Sequence, residues 1–174
     1  FTVGLDLQSG VNRWKLARAR GPNWTSPVLL KAGGTELVAL QSAKGIAAVE
    51  PASGRTVWSF TNSAATMPSS TLSGTTLFVP AQGLTALGFG AGTEPPKPLW
   101  RSNQLRPGTP SPAVLGGRIF SLNDAGVLTC GDAATGDRLW QLRLKGPFSA
   151  SPVGAGHFLC CVNEKGLAQV VDTT

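Results

Sequence analysis

The most regular pattern of apolar and polar positions in the chain has a period of two. In Arg138-Leu-Trp-Gln-Leu-Arg-Leu144, the residues Trp140, Leu142 and Leu144 fall on one side, with Gln141 and Arg143 on the other. That alternation marks a half-buried strand. Ile119-Phe-Ser-Leu122 and Val127-Leu-Thr-Cys130 form the preceding pair of strands, joined through Asn123-Asp-Ala-Gly126. With 22 Gly and 13 Pro among 174 residues, breaks come too often for long helices. Short strands and tight turns are predicted throughout.

The strand pattern recurs. Trp14, Trp58, Trp100 and Trp140 are 44, 42 and 40 residues apart. Three of them close the same phrase of an acid, two residues, Ser/Thr-Gly, three residues and Trp. The phrases are Asp6 to Gly10 to Trp14, Glu50 to Gly54 to Trp58, and Asp132 to Gly136 to Trp140. A second phrase follows each Trp at 11 or 12 residues: Ser26-Pro27, Ser69-Ser70, Ser111-Pro112 and Ser151-Pro152. A third is a glycine opening the next strand, at Gly45, Gly83, Gly126 and Gly166. Glycine in the first phrase accepts positive φ, and the acid can accept hydrogen bonds from the turn amides. Each period holds about four short strands, the size of one β-propeller blade.

The fold expected is therefore all-β, a propeller of four-stranded antiparallel blades. One segment, 1–174, holds a partial blade at 1–20, blades at 24–60, 66–102 and 109–144, and a partial blade at 148–174. That makes about four to five blades, near the lower end of propeller rings. The expectation is a segment of a larger ring, with a small closed ring as the alternative. The turn before Trp100 departs from the phrase: Gly88-Phe-Gly-Ala-Gly-Thr-Glu-Pro-Pro-Lys-Pro-Leu-Trp100 has no acid at the motif position and is rich in proline. Such a lengthened loop is either a tolerated surface insertion or a binding element.

These phrases resemble the quinoprotein (PQQ)-like propeller repeat, usually Ala-x-Asp-x-x-Thr-Gly-x-x-x-Trp; Gly131-Asp132-Ala-Ala-Thr-Gly136-Asp-Arg-Leu-Trp140 is close to it. The resemblance spans the chain through its repeats, and it is nearest to BamB-like and uncharacterised bacterial PQQ-repeat proteins. It implies that Trp14, Trp58, Trp100 and Trp140 pack between neighbouring blades. They are read as structural, with Gly10, Gly54, Gly136, Asp6, Glu50 and Asp132 forming the repeat turns. The family also includes dehydrogenases that use pyrroloquinoline quinone with calcium, often with a disulfide between adjacent cysteines against the cofactor. Cys160-Cys161 invites that comparison. In repeat register, however, the two cysteines match Phe120 and Ser121 in mid-strand, where neighbouring side chains point to opposite faces. Cys130 matches the apolar Val170. They are read as small buried hydrophobes.

Charge and chemistry narrow the picture little further. Fifteen Lys and Arg against nine Asp and Glu give a net charge of +6. The bases are dispersed, densest at Arg13, Lys15, Arg18 and Arg20 and again at Arg138, Arg143 and Lys145. This is the distribution of a solvated rim, and no nucleic-acid partner is expected. Three cysteines and one histidine offer no zinc spacing. Asp6, Glu50, Asp132 and Asp172 belong to repeat turns, and Asp124 and Glu164 to equivalent hairpins, so no acid and base pair stands out. No phosphate loop or nucleophile elbow appears. Asn23-Trp24-Thr25 fits a glycosylation acceptor, relevant only to a secreted eukaryotic protein. No apolar run approaches the ~20 residues of a membrane helix. Because Phe1 is not an initiator methionine, a processed chain or a fragment is expected.

The reading is a non-catalytic propeller scaffold that binds proteins, with no cofactor or metal. The resemblance implies a bacterial cell envelope or periplasmic location. Two alternatives are a fragment of a PQQ- and calcium-dependent alcohol or sugar dehydrogenase, and a sensor or accessory domain of a larger protein.

Overall fold

Glycine turns cut the chain into hairpins, and the hairpins assemble into five antiparallel sheets. The computed structural model describes residues 1–90 and 93–174, and every regular element in it is a strand. Ala91 and Gly92, inside the proline-rich loop singled out above, lie outside the described residues.

Strands β1 (Thr2–Leu5) and β2 (Asn12–Leu16) pair with each other. Three four-stranded sheets follow. The first joins β3 (Val28–Ala32), β4 (Thr35–Ser42), β5 (Gly45–Val49) and β6 (Thr56–Phe60). The second joins β7 (Thr71–Ser73), β8 (Thr76–Pro80), β9 (Leu84–Gly88) and β10 (Lys97–Ser102). The third joins β11 (Ala113–Leu115), β12 (Arg118–Leu122), β13 (Val127–Asp132) and β14 (Arg138–Arg143). A three-stranded sheet of β15 (Val153–Ala155), β16 (Phe158–Val162) and β17 (Ala168–Asp172) closes the series.

Each sheet is a meander whose strands lie in chain order from the inside outwards. The first strands β3, β7, β11 and β15 touch in sequence, which sets the sheets side by side as propeller blades. Among the described residues no strand of the first two sheets contacts the last one, so the sheets form an open arc.

Burial follows from this arrangement. Middle strands have neighbouring sheets on both faces and read as nearly unbroken apolar runs. Phe78, Leu84, Leu87, Ile119, Phe120, Leu122 and Leu128 are all buried. Three core clusters fill the gaps between successive sheets. One lies between β3–β6 and β7–β9, one between β7–β10 and β11–β14, and one between β11–β14 and β15–β17. The outermost strands have solvent beyond them. The alternation in β14 therefore buries less than expected: Trp140 is half-buried and Leu142 is exposed, while Leu144 just beyond the strand is buried.

A β-bulge recurs in the outermost pair of each sheet that carries a motif tryptophan. The register shifts between Gly4 and Leu5, Ala48 and Val49, Pro98 and Trp100, and Cys130 and Gly131. Each bulge lies just before the Trp, where an extra residue re-aims the side chain. Across the ladder the four tryptophans face Gly4, Ala48, Ala86 and Cys130, residues small enough to lie beneath an indole.

The meander also sorts the turns onto two faces. The turn face carries the hairpins from first to second strand and the Asp/Glu-x-x-Ser/Thr-Gly turns. The connector face carries the hairpins from second to third strand and the crossings between sheets, at 17–27, 61–70, 103–112 and 144–152.

Candidate functional site

The repeat turn is an Asx-type turn, closed by hydrogen bonds to its acid. Asp6 Oδ1 accepts hydrogen bonds from the amides of Gln8 and Ser9 at 3.1 and 2.9 Å, and from the Ser9 hydroxyl at 2.8 Å. Asp132 Oδ1 accepts from the amides of Ala134 and Thr135 at 2.7 and 3.0 Å. Glu50, one methylene longer, reaches past the amides: its carboxylate takes the Ser53 hydroxyl and lies 3.4 Å from the Arg55 guanidinium. The amide-accepting role expected of the acid thus holds for the aspartates and changes with the longer side chain. These bonds act on ionisation. The Arg13 guanidinium, then Ser9, holds the Asp6 carboxyl down at about 2. The Ser53 hydroxyl and Arg55 lower Glu50, and the Thr174 amide and hydroxyl lower Asp172.

Gly10, Gly54 and Gly136 complete the turns at φ of 71°, 72° and 78°. Two of them do more. Trp14 Nε1 donates to the Pro51 carbonyl at 2.8 Å, and its ring lies where a Cβ on Gly54 would come within 2.4 Å. Trp100 Nε1 donates to the Ala133 carbonyl at 3.1 Å, and a Cβ on Gly136 would come within 2.5 Å of its ring. The turn of one sheet is therefore a socket for the tryptophan of the sheet before it. Asn also tolerates left-handed backbone. At Gly54 and Gly136, unlike Gly10, the indole is a second reason for glycine.

Trp58 is 5% exposed in the first core cluster and borders Phe89 and Gly90, where the next turn lacks the motif. Trp140 packs against Phe120 of its own sheet, ring centroids 5.9 Å apart. Trp14 and Trp100 thus enter glycine sockets of the next sheet and Trp58 does not, while Trp100 also packs on Phe78 of its own sheet, ring centroids 5.7 Å apart, as Trp140 does on Phe120.

A polar line that sequence reasoning found as a phrase, without a role, runs along the inner side of the arc. The Ser26 amide donates to Ser69 Oγ, the Ser69 amide to Ser111 Oγ and the Ser111 amide to Ser151 Oγ, each at 2.9 Å. Each bond crosses from one sheet to the next. Buried Gln41 adds a second clasp. Its Nε2 donates to the carbonyls of Ala65 and Pro68, and its Oε1 accepts from the Ser70 amide and hydroxyl. A buried amide satisfied on both ends fixes a unique neighbour geometry.

The remaining candidates do not converge. Cys161 is buried with Leu159 on one side of β16, and Cys160 is half-buried on the other. All three thiols are free; burial pushes Cys161 up to about 11 and raises Cys130. Asp124 accepts from the Thr109 amide at 2.6 Å, while Asn123 and Asn163 cap their hairpins. Among the described residues no three His, Cys, Asp or Glu side chains gather as a metal site. Calcium asks for six or more oxygen ligands. With these acids spread over separate turns and the adjacent cysteines on opposite faces, the residues described do not fit a quinone with calcium.

Two of the clefts that open on the connector face carry polar and basic side chains. One, of about 490 Å³, is lined by Gln82, Gly83, Arg101, Ser102, Asn103 and Arg106. The other, of about 270 Å³, includes Arg18, Asn23 and Gln41.

Comparison with known proteins gives the same architecture. The family model described as outer membrane protein assembly factor BamB matches residues 44–174. No curated protein matches. Among solved structures, BamB from Moraxella catarrhalis is 21% identical with a TM-score of 0.73, over 98% of this chain and 54% of that one. The computationally designed Ika4 protein is 13% identical with a TM-score of 0.63, over 90% of this chain and 96% of that one. A quinohemoprotein alcohol dehydrogenase from Pseudomonas putida HK5 is 17% identical with a TM-score of 0.56, over 75% of this chain and 22% of that one. The chain spans about half the length of the BamB it resembles. At such identities these likenesses establish the propeller fold and nothing finer.

Proposed function

Because the chain belongs to the family of the outer membrane protein assembly factor BamB, we propose that it is a non-catalytic scaffold that holds other proteins at the bacterial cell envelope. The observation that carries this reading is how the repeat residues are used. The Trp14 and Trp100 N–H groups, phrase serines and turn aspartates are engaged within and between sheets. What is left for outside contact is a rigid arc of loops. Rigid blades presenting loops suit partner docking, since little ordering entropy is lost on binding. The reading needs neither metal nor quinone.

The test is site-specific photo-crosslinking. Exposed Met67 on a connector is replaced by benzoylphenylalanine, and the chain is irradiated in a bacterial envelope fraction. A discrete adduct is expected, its partner identified by mass spectrometry and its binding reproduced with purified protein. Absence of any adduct, or turnover of alcohols on adding pyrroloquinoline quinone and calcium, would overturn the proposal.

A further inference from the structure

The charges of the chain are divided between its two faces, and the division is almost complete. On the turn face stand Arg13, Lys31, Arg55, Lys97, Arg118 and Arg138, near the turn-side ends of strands. Seven of the nine acids are there too, all but Asp124 and Glu164. Six bases against seven acids leave that face close to neutral. The three ion pairs among the described residues, Arg13–Asp6, Lys31–Glu36 and Arg55–Glu50, all lie on it.

The connector face is different. Lys44, Arg101, Arg106, Arg143, Lys145 and Lys165 stand at its strand ends and loops, and Lys15, Arg18 and Arg20 lead into its first crossing. Nine bases oppose two acids. The whole excess of +6 therefore comes from one face, and none of these nine bases is in an ion pair with Asp or Glu among the described residues.

The same face carries an apolar anchor point. Trp24 is 66% exposed and Met67 is 47% exposed. Their connectors are tied by the Trp24 amide donating to the Thr66 carbonyl at 2.8 Å. Exposed Trp and Arg are both enriched at interface hot spots.

We propose that the connector face docks an acidic polypeptide segment, whose carboxylates meet the unpaired bases and whose apolar side chain rests against Trp24 and Met67. The proposal rests on the scaffold reading above and names the face and the chemistry of its partner. A polypeptide suits the surface because the bases are spread along an arc broken by clefts lined with Asn, Gln and Ser. These can take the carbonyl and amide groups of an extended chain, while a bilayer or a duplex would span the clefts.

The experiment compares two triple variants of the full chain. One is Lys44→Gln/Arg101→Gln/Lys145→Gln on the connector face, the other Lys97→Gln/Arg118→Gln/Arg138→Gln on the turn face. Both lower the net charge of +6 by the same three units, and among the described residues none of the six side chains makes a hydrogen bond or ion pair, so melting temperatures should stay close. The probe is a fluorescein-labelled peptide alternating Glu with Leu and Val, with a Gln-for-Glu control, followed by anisotropy over a salt series. The connector triple is expected to weaken binding about tenfold and the turn triple less than about twofold. Equal losses in both triples would overturn the proposal. So would preference for phosphatidylglycerol vesicles or duplex DNA over the peptide.

Repeating the photo-crosslinking with both triples separates the two readings. A partner captured by wild type and lost by the connector triple supports the proposal. A partner captured equally by both overturns the face assignment and leaves the scaffold. No capture even by wild type overturns the scaffold, whatever the peptide does.

Discussion

Two joints between sheets keep the repeat motif and one has lost it. At Trp14 against Gly54 and Trp100 against Gly136, the indole donates to a turn carbonyl and lies flat on a glycine that has no room for a Cβ. At Trp58 the next turn has no Ser/Thr-Gly at the motif position. Phe89 stands beside the indole, and Trp58 ends up more deeply buried than its counterparts, at 5% exposure. The first solution is specific and polar; the second is apolar filling. A tryptophan at such a joint can thus meet the neighbouring sheet in either way. The motif is one means of closing the joint, and the loop that departs from it remains free to lengthen.

The comparison predicts where truncation hurts most. Trp58→Ala should cost about 3–5 kcal/mol, the range for a fully buried large aromatic. Trp140→Ala should cost less, because its indole is partly exposed and loses less transfer free energy. Midpoints of urea denaturation at unchanged slope give both numbers. Equal losses would mean that burial does not rank the joints.

Glycine gives a sharper test, since the chain carries its own control. Gly10, Gly54 and Gly136 have nearly the same positive φ, but nothing lies within 4 Å of a Cβ on Gly10. Gly10→Ala should therefore cost only the left-handed backbone penalty of about 1–2 kcal/mol. Gly54→Ala and Gly136→Ala must also push an indole aside, adding about 1–3 kcal/mol of overpacking. The difference between variants measures the socket. Three equal losses would reduce the motif glycine to a turn residue.

The spacing of tryptophans and the alternation around Trp140 were enough for the strands, the meander and the propeller, because those are local and repeated. The bulge before each Trp was not legible. It inserts a residue without changing composition, and only the ladder reveals that Gly4, Ala48, Ala86 and Cys130 share one slot. The serine line was visible as Ser26, Ser69, Ser111 and Ser151. Its role was hidden, because an amide reaching the next sheet's hydroxyl is a contact some 40 residues away. The charge division was hidden for the opposite reason: along the chain the bases look dispersed, and only the meander's alternating strand directions send them to one face.

The smallest expected effect concerns the outermost layer of the motif, its acid. Asp6 lies at the surface with its side chain 22% exposed, and its pKa of about 2 lies below the unfolded value near 4. A carboxylate depressed in the folded state contributes stability above the unfolded pKa and loses it as pH falls toward the folded one. That window runs from about pH 4 to pH 2, shared with Glu50 and Asp172, which shift the same way. Asp6→Asn keeps an oxygen for the Gln8 and Ser9 amides but cannot hold the Arg13 guanidinium as an ion pair. The variant should unfold with less proton uptake across that window, by up to about one proton. Melting temperature plotted against pH should then fall less steeply than in wild type below pH 4, with the two curves parallel above it. Parallel curves throughout would show that the Arg13 pair forms in the unfolded chain as readily as in the turn, leaving the acid a local capping role alone.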